Sequence, residues 1–118
     1  MIMNKHSRQE LKSAWNDPVK ATLIQRNILG EKFLLRQSYE GIYCFITRNL
    51  NEWPVNIELG SGNSCLYKHI NGLIRTNIIS IPDNEITFDA YAMPFKDNSV
   101  DNLILISVFH HLGDPERF

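Results

Sequence analysis

The sequence lacks the charge imbalance that would assign it to a specialised class of protein. Among its 118 residues, 12 are lysine or arginine and 13 are aspartate or glutamate, so the formal net charge is −1. The chain therefore lacks the excess of basic residues that is typical of a protein binding nucleic acid mainly through phosphate contacts. With 43 % hydrophobic residues, the composition excludes intrinsic disorder and is typical of one globular domain or part of one.

Long apolar segments and cysteines are also scarce. No window approaches the roughly 18 consecutive apolar residues of a membrane span. The polar segment Met1–Glu10 lacks the apolar core of a signal peptide. Cys44 and Cys65 are too few for a disulfide framework, so we expect two buried free thiols in a reducing compartment. The sequence therefore predicts a cytoplasmic protein without a membrane span.

The first half of the chain has helical signals. A capping-box pattern runs from Ser7 to Glu10, and Asp17-Pro18 pairs a capping residue with a proline suited to the first helical position. Apolar residues recur three and four apart after Asp17-Pro18 and again from Phe33 to Leu50, as on one face of a helix. The predicted helices cover residues 8–15, 19–29 and 32–49. We expect residues 1–51 to form a helical cap.

From Val55 onward, short apolar runs alternate with turns rich in small and polar residues. The predicted strands cover residues 55–59, 73–81, 85–88 and 100–108, with a helix over 65–70 between the first two. The last run is nearly continuous in apolar residues, so we expect a strand that is covered on both faces. This order of elements is typical of an α/β fold with a parallel sheet.

A glycine turn with Gly60 and Gly62 directly follows the first predicted strand. Glycine there lets a ligand approach the backbone at the carboxyl end of the strand, although most single Gly-x-Gly turns are structural. A dinucleotide-binding fingerprint expects a third glycine where Cys65 stands and an acid where Asn77 stands. Glu58 before the turn instead favours a ligand that carries an ammonium or sulfonium group.

Three motifs follow one another along the second half of the chain. They are Glu58-Leu59-Gly60-Ser61-Gly62, Asp89-Ala90-Tyr91-Ala92-Met93-Pro94-Phe95 and His110-His111-Leu112-Gly113-Asp114-Pro115. In this order the motifs resemble class I S-adenosylmethionine-dependent methyltransferases, and most closely the methyltransferase type 11 domain. The resemblance covers residues 55–118. It implies that residues 52–118 form a partial S-adenosylmethionine-binding, Rossmann-like domain, namely strands one to four of a mostly parallel sheet.

The resemblance also implies roles for individual residues. Glu58 would lie near the amino group of the donor's methionine part. Gly60 and Gly62 would let that part lie against the backbone. Asp89 would accept a hydrogen bond from the adenine amino group, and the Ala90 N–H would face the adenine ring.

Four further candidates follow from the same resemblance. Ser107 would line the pocket near the sulfonium. Asn77 stands where the family has an acid that binds both ribose hydroxyls, and its uncharged carbonyl would accept more weakly. His110 and His111 are candidates for packing at the pocket mouth or for one general base. Adjacent residues on an extended segment point to opposite sides, so we expect no metal site there.

The family's sheet has seven strands, and this sequence ends shortly after the third motif. We therefore expect the fourth strand to form an exposed apolar edge, through which the chain would self-associate or be completed by another chain. The expected function is the donor-binding portion of a methyltransferase acting on a small-molecule, lipid or sugar acceptor. Two alternatives stay open: an inactive remnant or binding module that keeps the Rossmann-like half, and a nicotinamide-dependent oxidoreductase fragment.

Overall fold

A computed structural model describes residues 16–52 and 54–118, in which two helices precede a parallel sheet. The predicted helix over residues 8–15 lies outside the described residues. The helices are α1 (Pro18–Glu31) and α2 (Phe33–Asn49). The strands are β1 (Asn56–Leu59), β2 (Ile74–Asn77), β3 (Ile86–Thr87) and β4 (Asn102–Leu105). They lie in the order β3-β2-β1-β4, and every pair is parallel, so the predicted Rossmann-like α/β architecture is confirmed.

Both described helices form where the sequence predicts them. The Asp17 carboxylate accepts hydrogen bonds from the backbone N–H groups of Val19 and Lys20, at 3.1 and 3.2 Å, which caps the start of α1. Pro18 occupies the first turn, where its missing N–H costs nothing. Among the described residues, no helix is both long and apolar enough to cross a membrane.

The helix α2 and the sheet share one core. Tyr43 of α2 is buried together with Leu66, Ile70, Leu73 and Ile104. The Tyr43 hydroxyl accepts a hydrogen bond from the backbone N–H of Cys65 at 2.9 Å, which satisfies the buried phenol. This packing holds α2 directly against the segment that follows the glycine turn.

The central strand and the outer strand of the sheet differ in burial. All four residues of β1 are buried, and β1 pairs with β2 on one side and β4 on the other. Among the described residues, β4 pairs with β1 only, and Leu103 on it is 37 % exposed. The prediction that this strand is covered on both faces is therefore wrong. The core with Tyr43 covers the face of β4 that carries Ile104, and alternate side chains point away from it.

Three local predictions are also wrong. The second and fourth strands are shorter than predicted, because only four residues of each pair with a neighbouring strand. All four paired residues of β4 face β1, whereas β2 pairs with β1 through two residues and with β3 through the other two. The predicted helix over residues 65–70 is a single 3-10 turn, Leu66–Lys68. The segment before Gly72 is too short to repay the cost of nucleating a helix. Cys44 is exposed rather than buried, and Cys65 is half-buried, although both thiols are free.

Candidate functional site

A cleft of about 570 Å³ opens at the carboxyl ends of β1, β2 and β4. The chain order of the strands reverses between β1 and β4, and ligands of open α/β sheets bind at such a switch point. The predicted site residues, apart from Glu58, all line this cleft. They are Gly60, Gly62, Asn77, Asp89, Ala90, Ser107, His110 and His111. Segments distant in sequence therefore meet in one concave site.

The two positions of the turn require glycine for different structural reasons. Both have positive φ, +61° at Gly60 and +42° at Gly62. A Cβ on Gly60 would lie 2.6 Å from Cγ2 of Val108, so this glycine lets the segment after β4 pack against the turn. A Cβ on Gly62 would meet nothing closer than 3.7 Å. Only Gly62 leaves its backbone open in the way that ligand approach requires.

Hydrogen bonds with the neighbouring strand hold the turn. The Ser61 N–H donates to the carbonyl of Thr76 at 2.8 Å, and the Thr76 hydroxyl donates to the carbonyl of Glu58 at 2.8 Å. The Ser61 hydroxyl donates to Oδ1 of Asn84 at 3.0 Å. Because Ser61 and Thr76 are nearly fully buried, these bonds are shielded from water and fix the turn against β2.

Glu58 lies beneath the cleft rather than in its wall. The residue is 1 % exposed, and among the described residues neither carboxylate oxygen has a hydrogen-bond partner. Burial raises the pKa of Glu58 from 4.5 to about 7, while the nearby Ser64 hydroxyl and the charge of Arg75 lower it in part. At neutral pH, this carboxyl is therefore poised between its neutral and charged forms.

The start of the second motif presents adjacent acceptor and donor groups. Oδ1 of Asp89 accepts a hydrogen bond from the backbone N–H of Tyr91 at 2.9 Å, which orients the carboxylate. Its other oxygen accepts no hydrogen bond from the described residues, and the Ala90 N–H donates none to them. These two groups are available to a ligand that has a donor beside an acceptor.

Asn77 lines the cleft with part of its hydrogen-bonding capacity already used. Its side-chain Oδ1 accepts a hydrogen bond from the N–H of Ile78 at 2.8 Å, which leaves the amide NH2 as its principal free group. The nearby acids Asp83 and Glu85 do not line the cleft. They form ion pairs with arginines at 3.5 and 3.7 Å instead.

The segment after β4 has two unusual features at the cleft. Ser107 has a φ of +56°, a strained conformation for a residue other than glycine. His110 and His111 lie in a 3-10 turn, Phe109–His111, with ring centroids 3.9 Å apart. The two histidines therefore do not lie on opposite sides of an extended segment, and that prediction is wrong. The described residues contain no group of three or more His, Cys, Asp or Glu side chains that could hold a metal ion.

The chain is similar to one protein family over the segment that carries most of the cleft residues after β1. Residues 73–118 match the family model of a methyltransferase domain. This match confirms the resemblance to the class I methyltransferases. No curated protein and no solved structure matches the chain. The methyltransferase-domain segment contains the second and third motifs, whereas the glycine turn precedes it, so the turn's assignment depends on its geometry.

Three residues of the helices, Gln25, Arg26 and Tyr39, contact the site although no sequence motif contains them. Gln25 and Tyr39 line the cleft beside residues of the methyltransferase-domain segment, whereas the neighbouring Tyr43 belongs to the core. Arg26 donates to the carbonyl of Gly62 from Nε at 3.0 Å and from Nη2 at 2.7 Å. Its partner is 36 residues away, so no local pattern could have indicated this contact.

Proposed function

We propose that the cleft binds S-adenosylmethionine and that the chain forms the donor-binding portion of a methyltransferase. The observation that carries this proposal is the convergence of all three motifs on one cleft, together with the methyltransferase-domain match. A cleft of about 570 Å³ lies within the usual range for small-molecule and cofactor sites. The acceptor would be a small molecule, a lipid or a sugar.

The adenine end of the donor would lie at Asp89 and Ala90. Adenine presents an amino group beside a ring nitrogen, which is a donor next to an acceptor. The free carboxylate oxygen of Asp89 and the free N–H of Ala90 are the complementary pair. Phe88 and Ile78 also line the cleft and would supply apolar contact for the ring.

The methionine end would lie at the glycine turn. When bound, the donor supplies a methyl group on a sulfonium, which an acceptor displaces directly. Glu58, in its ionised form beneath the turn, favours a cationic ligand above it, and a bound cation would in turn favour the ionised form. The open backbone at Gly62 supports close approach of the ligand. The protein's contribution is binding, orientation and exclusion of water.

The acceptor would approach between the helices and the segment after β4. Gln25 and Tyr39 line the cleft from one side, and Ser107, His110 and His111 line it from the other. The strained backbone at Ser107 supports a functional role, because such strain concentrates at ligand-binding positions. Either His110 or His111 would serve as a base for an acceptor that must lose a proton.

Calorimetric titration with S-adenosylhomocysteine, the product of the donor, tests this function. We expect saturable binding that Asp89→Ala weakens by about tenfold or more, since the variant loses a charge-assisted hydrogen bond to adenine. Asp97→Ala is the matched control, because Asp97 is an exposed aspartate of the same segment outside the cleft.

Two results would favour other functions. A folded sample that binds no S-adenosylhomocysteine would favour a binding module or inactive remnant, for which the neutral Asn77 is the supporting observation. Saturable binding of NAD in preference to S-adenosylhomocysteine would favour an oxidoreductase.

A further inference from the structure

Arg26 of α1 contacts the glycine turn from a cavity that adjoins the cleft. Its guanidinium donates two hydrogen bonds to the Gly62 carbonyl, and its side chain is only 24 % exposed. Arg26 does not line the cleft. It lines a second cavity of about 320 Å³, between the helices and the turn. The Gly62 carbonyl therefore points away from the proposed donor site.

The direction of this carbonyl determines the direction of the next N–H. The described peptide bonds are all trans, and in a trans peptide the C=O and the N–H point in opposite directions. With the Gly62 carbonyl held by Arg26, the Asn63 N–H is directed away from Arg26. Asn63 itself lies between the two cavities and lines both the cleft and the second cavity. Among the described residues, this N–H has no hydrogen-bond acceptor.

The peptide between Gly62 and Asn63 is the central peptide of a tight turn. The Ser64 N–H donates to the Ser61 carbonyl at 2.7 Å, which closes the turn without constraining this central peptide. Turning this peptide over changes ψ of Gly62 and φ of Asn63, and it would move Asn63 to positive φ, a region that asparagine tolerates better than most residues. The turn can therefore adopt both orientations, and hydrogen bonds from outside it strengthen the preference for one.

We propose that Arg26 is a positioning residue that holds the Gly62–Asn63 peptide with its N–H toward the cleft. The inference depends on the proposed function: the Asn63 N–H would donate to an oxygen of the donor's amino-acid part. The same guanidinium also approaches the Pro82 carbonyl at 3.5 Å and the Asp83 carboxylate at 3.5 Å. Arg26 thus ties α1 to both loops beside the cleft, and α1 becomes part of the donor site.

Titration of Arg26→Ala with two ligands tests the role of this side chain. We expect affinity for S-adenosylhomocysteine to fall by about tenfold, the effect of one ordinary hydrogen bond. Affinity for adenosine, which lacks the amino-acid part, should not change. Arg26→Lys keeps the charge and one donor group, so it should recover part of the loss. A general loss of packing would weaken both ligands equally and would not be rescued by lysine.

Arg36→Ala is the matched control. Arg36 also donates to a backbone carbonyl, that of Gly30 at 3.2 Å, but this bond lies within the helical segment and outside the cleft. We expect wild-type affinity for both ligands. Circular dichroism and denaturant unfolding of each variant establish that the samples are folded.

A measurement without ligand separates this inference from the proposed function. The amide chemical shifts of Asn63, measured by NMR, should change in Arg26→Ala and stay close to wild type in Arg36→Ala. Unchanged Asn63 shifts in Arg26→Ala, or equal losses for both ligands, would overturn the positioning role. A wild-type protein that binds neither ligand would instead overturn the donor site, while the Asn63 shifts would still report whether Arg26 orients the peptide.

Discussion

The residues beneath the cleft and the residues around its mouth differ in burial and in what holds them. The floor consists of Glu58, Gly60, Ser61 and Thr76, and it is mostly buried. Bonds between neighbouring strands fix its backbone. The rim consists of Asn77, Asp89, Ser107, His110 and His111, which lie at or beyond the strand ends and are exposed or half-buried.

The rim's side-chain bonds are local. Asn77 accepts from the next residue's N–H, and Asp89 accepts from the N–H two residues on. These bonds orient the side chains but connect no distant parts of the chain. We therefore expect substitutions in the floor to change mainly the free energy of unfolding. Substitutions in the rim should change mainly the affinity for the ligand.

Among substitutions in the floor, Gly60→Ala should lower the free energy of unfolding the most. The added methyl group would meet Val108 at 2.6 Å, and alanine at a φ of +61° is strained. Overpacking and backbone strain together should lower the free energy of unfolding by about 2–4 kcal/mol. The midpoint of denaturant unfolding measures this loss.

Gly62→Ala separates the two causes. Its φ is +42°, but the added Cβ would meet nothing closer than 3.7 Å, so only the backbone strain of about 1 kcal/mol should remain. Combining Gly60→Ala with Val108→Ala should cost less than the sum of the two single changes, because the smaller residue makes room for the methyl group. Equal losses for the two glycine variants would contradict the close contact with Val108.

Glu58→Gln, a substitution in the floor, should change how the protein's free energy of unfolding depends on pH. The pKa of Glu58 is raised to about 7 in the folded chain from 4.5 when unfolded. Between pH 4.5 and about pH 7, the folded state binds more protons than the unfolded state. The stabilisation from this protonation is therefore fully present below the unfolded pKa and is lost as the pH rises through the folded pKa. The loss between about pH 5 and about pH 8 should be about 3 kcal/mol, and glutamine should remove it.

Unfolding of wild type and variant at both pH values measures this difference. Glu52→Gln, which removes an exposed carboxylate, is the matched control for the loss of one negative charge. If the stability of Glu58→Gln falls with pH as steeply as that of the wild type, another group is responsible for the dependence.

The sequence allowed much of the sheet and the rim to be predicted, because their signals are local. Short apolar runs and turns located all four strands. The second and third motifs placed Asp89, Ala90 and the two histidines at strand ends, which the topology then brought to one edge. Strand lengths were overestimated, because the length of a strand depends on its partner as well as on its own apolar residues.

The construction of the floor could not be predicted, because it depends on contacts between distant residues. Gly60 follows a pattern that suggests ligand approach, yet the nearest neighbour of its Cβ position is Val108, 48 positions along the chain. Arg26 and Gly62 are separated by 36 residues. The resemblance predicts a role for Glu58 near the ligand's amino group, but no sequence pattern indicates that its side chain is buried below the cleft wall. Such pairings arise from tertiary packing, which no single-sequence pattern records.

Asn77→Asp, a substitution in the rim, should have the smallest effect on the free energy of unfolding and act on ligand affinity instead. A carboxylate at this position could keep the bond to the Ile78 N–H and offer a charged acceptor to the ribose hydroxyls. We expect affinity for S-adenosylhomocysteine to rise by about tenfold, equivalent to about 1.4 kcal/mol. The free energy of unfolding should change by no more than about 0.5 kcal/mol, because the residue is only half-buried.

Two controls decide whether that gain comes from the ribose. Asn71→Asp adds the same charge at an exposed position outside the cleft and should leave affinity unchanged. With Asn77→Asp, adenosine should also bind more tightly than to wild type, whereas dideoxyadenosine, which lacks both ribose hydroxyls, should not. An equal gain for both nucleosides would mean that the charge acts at long range, and the rim at Asn77 would then not contact the ribose.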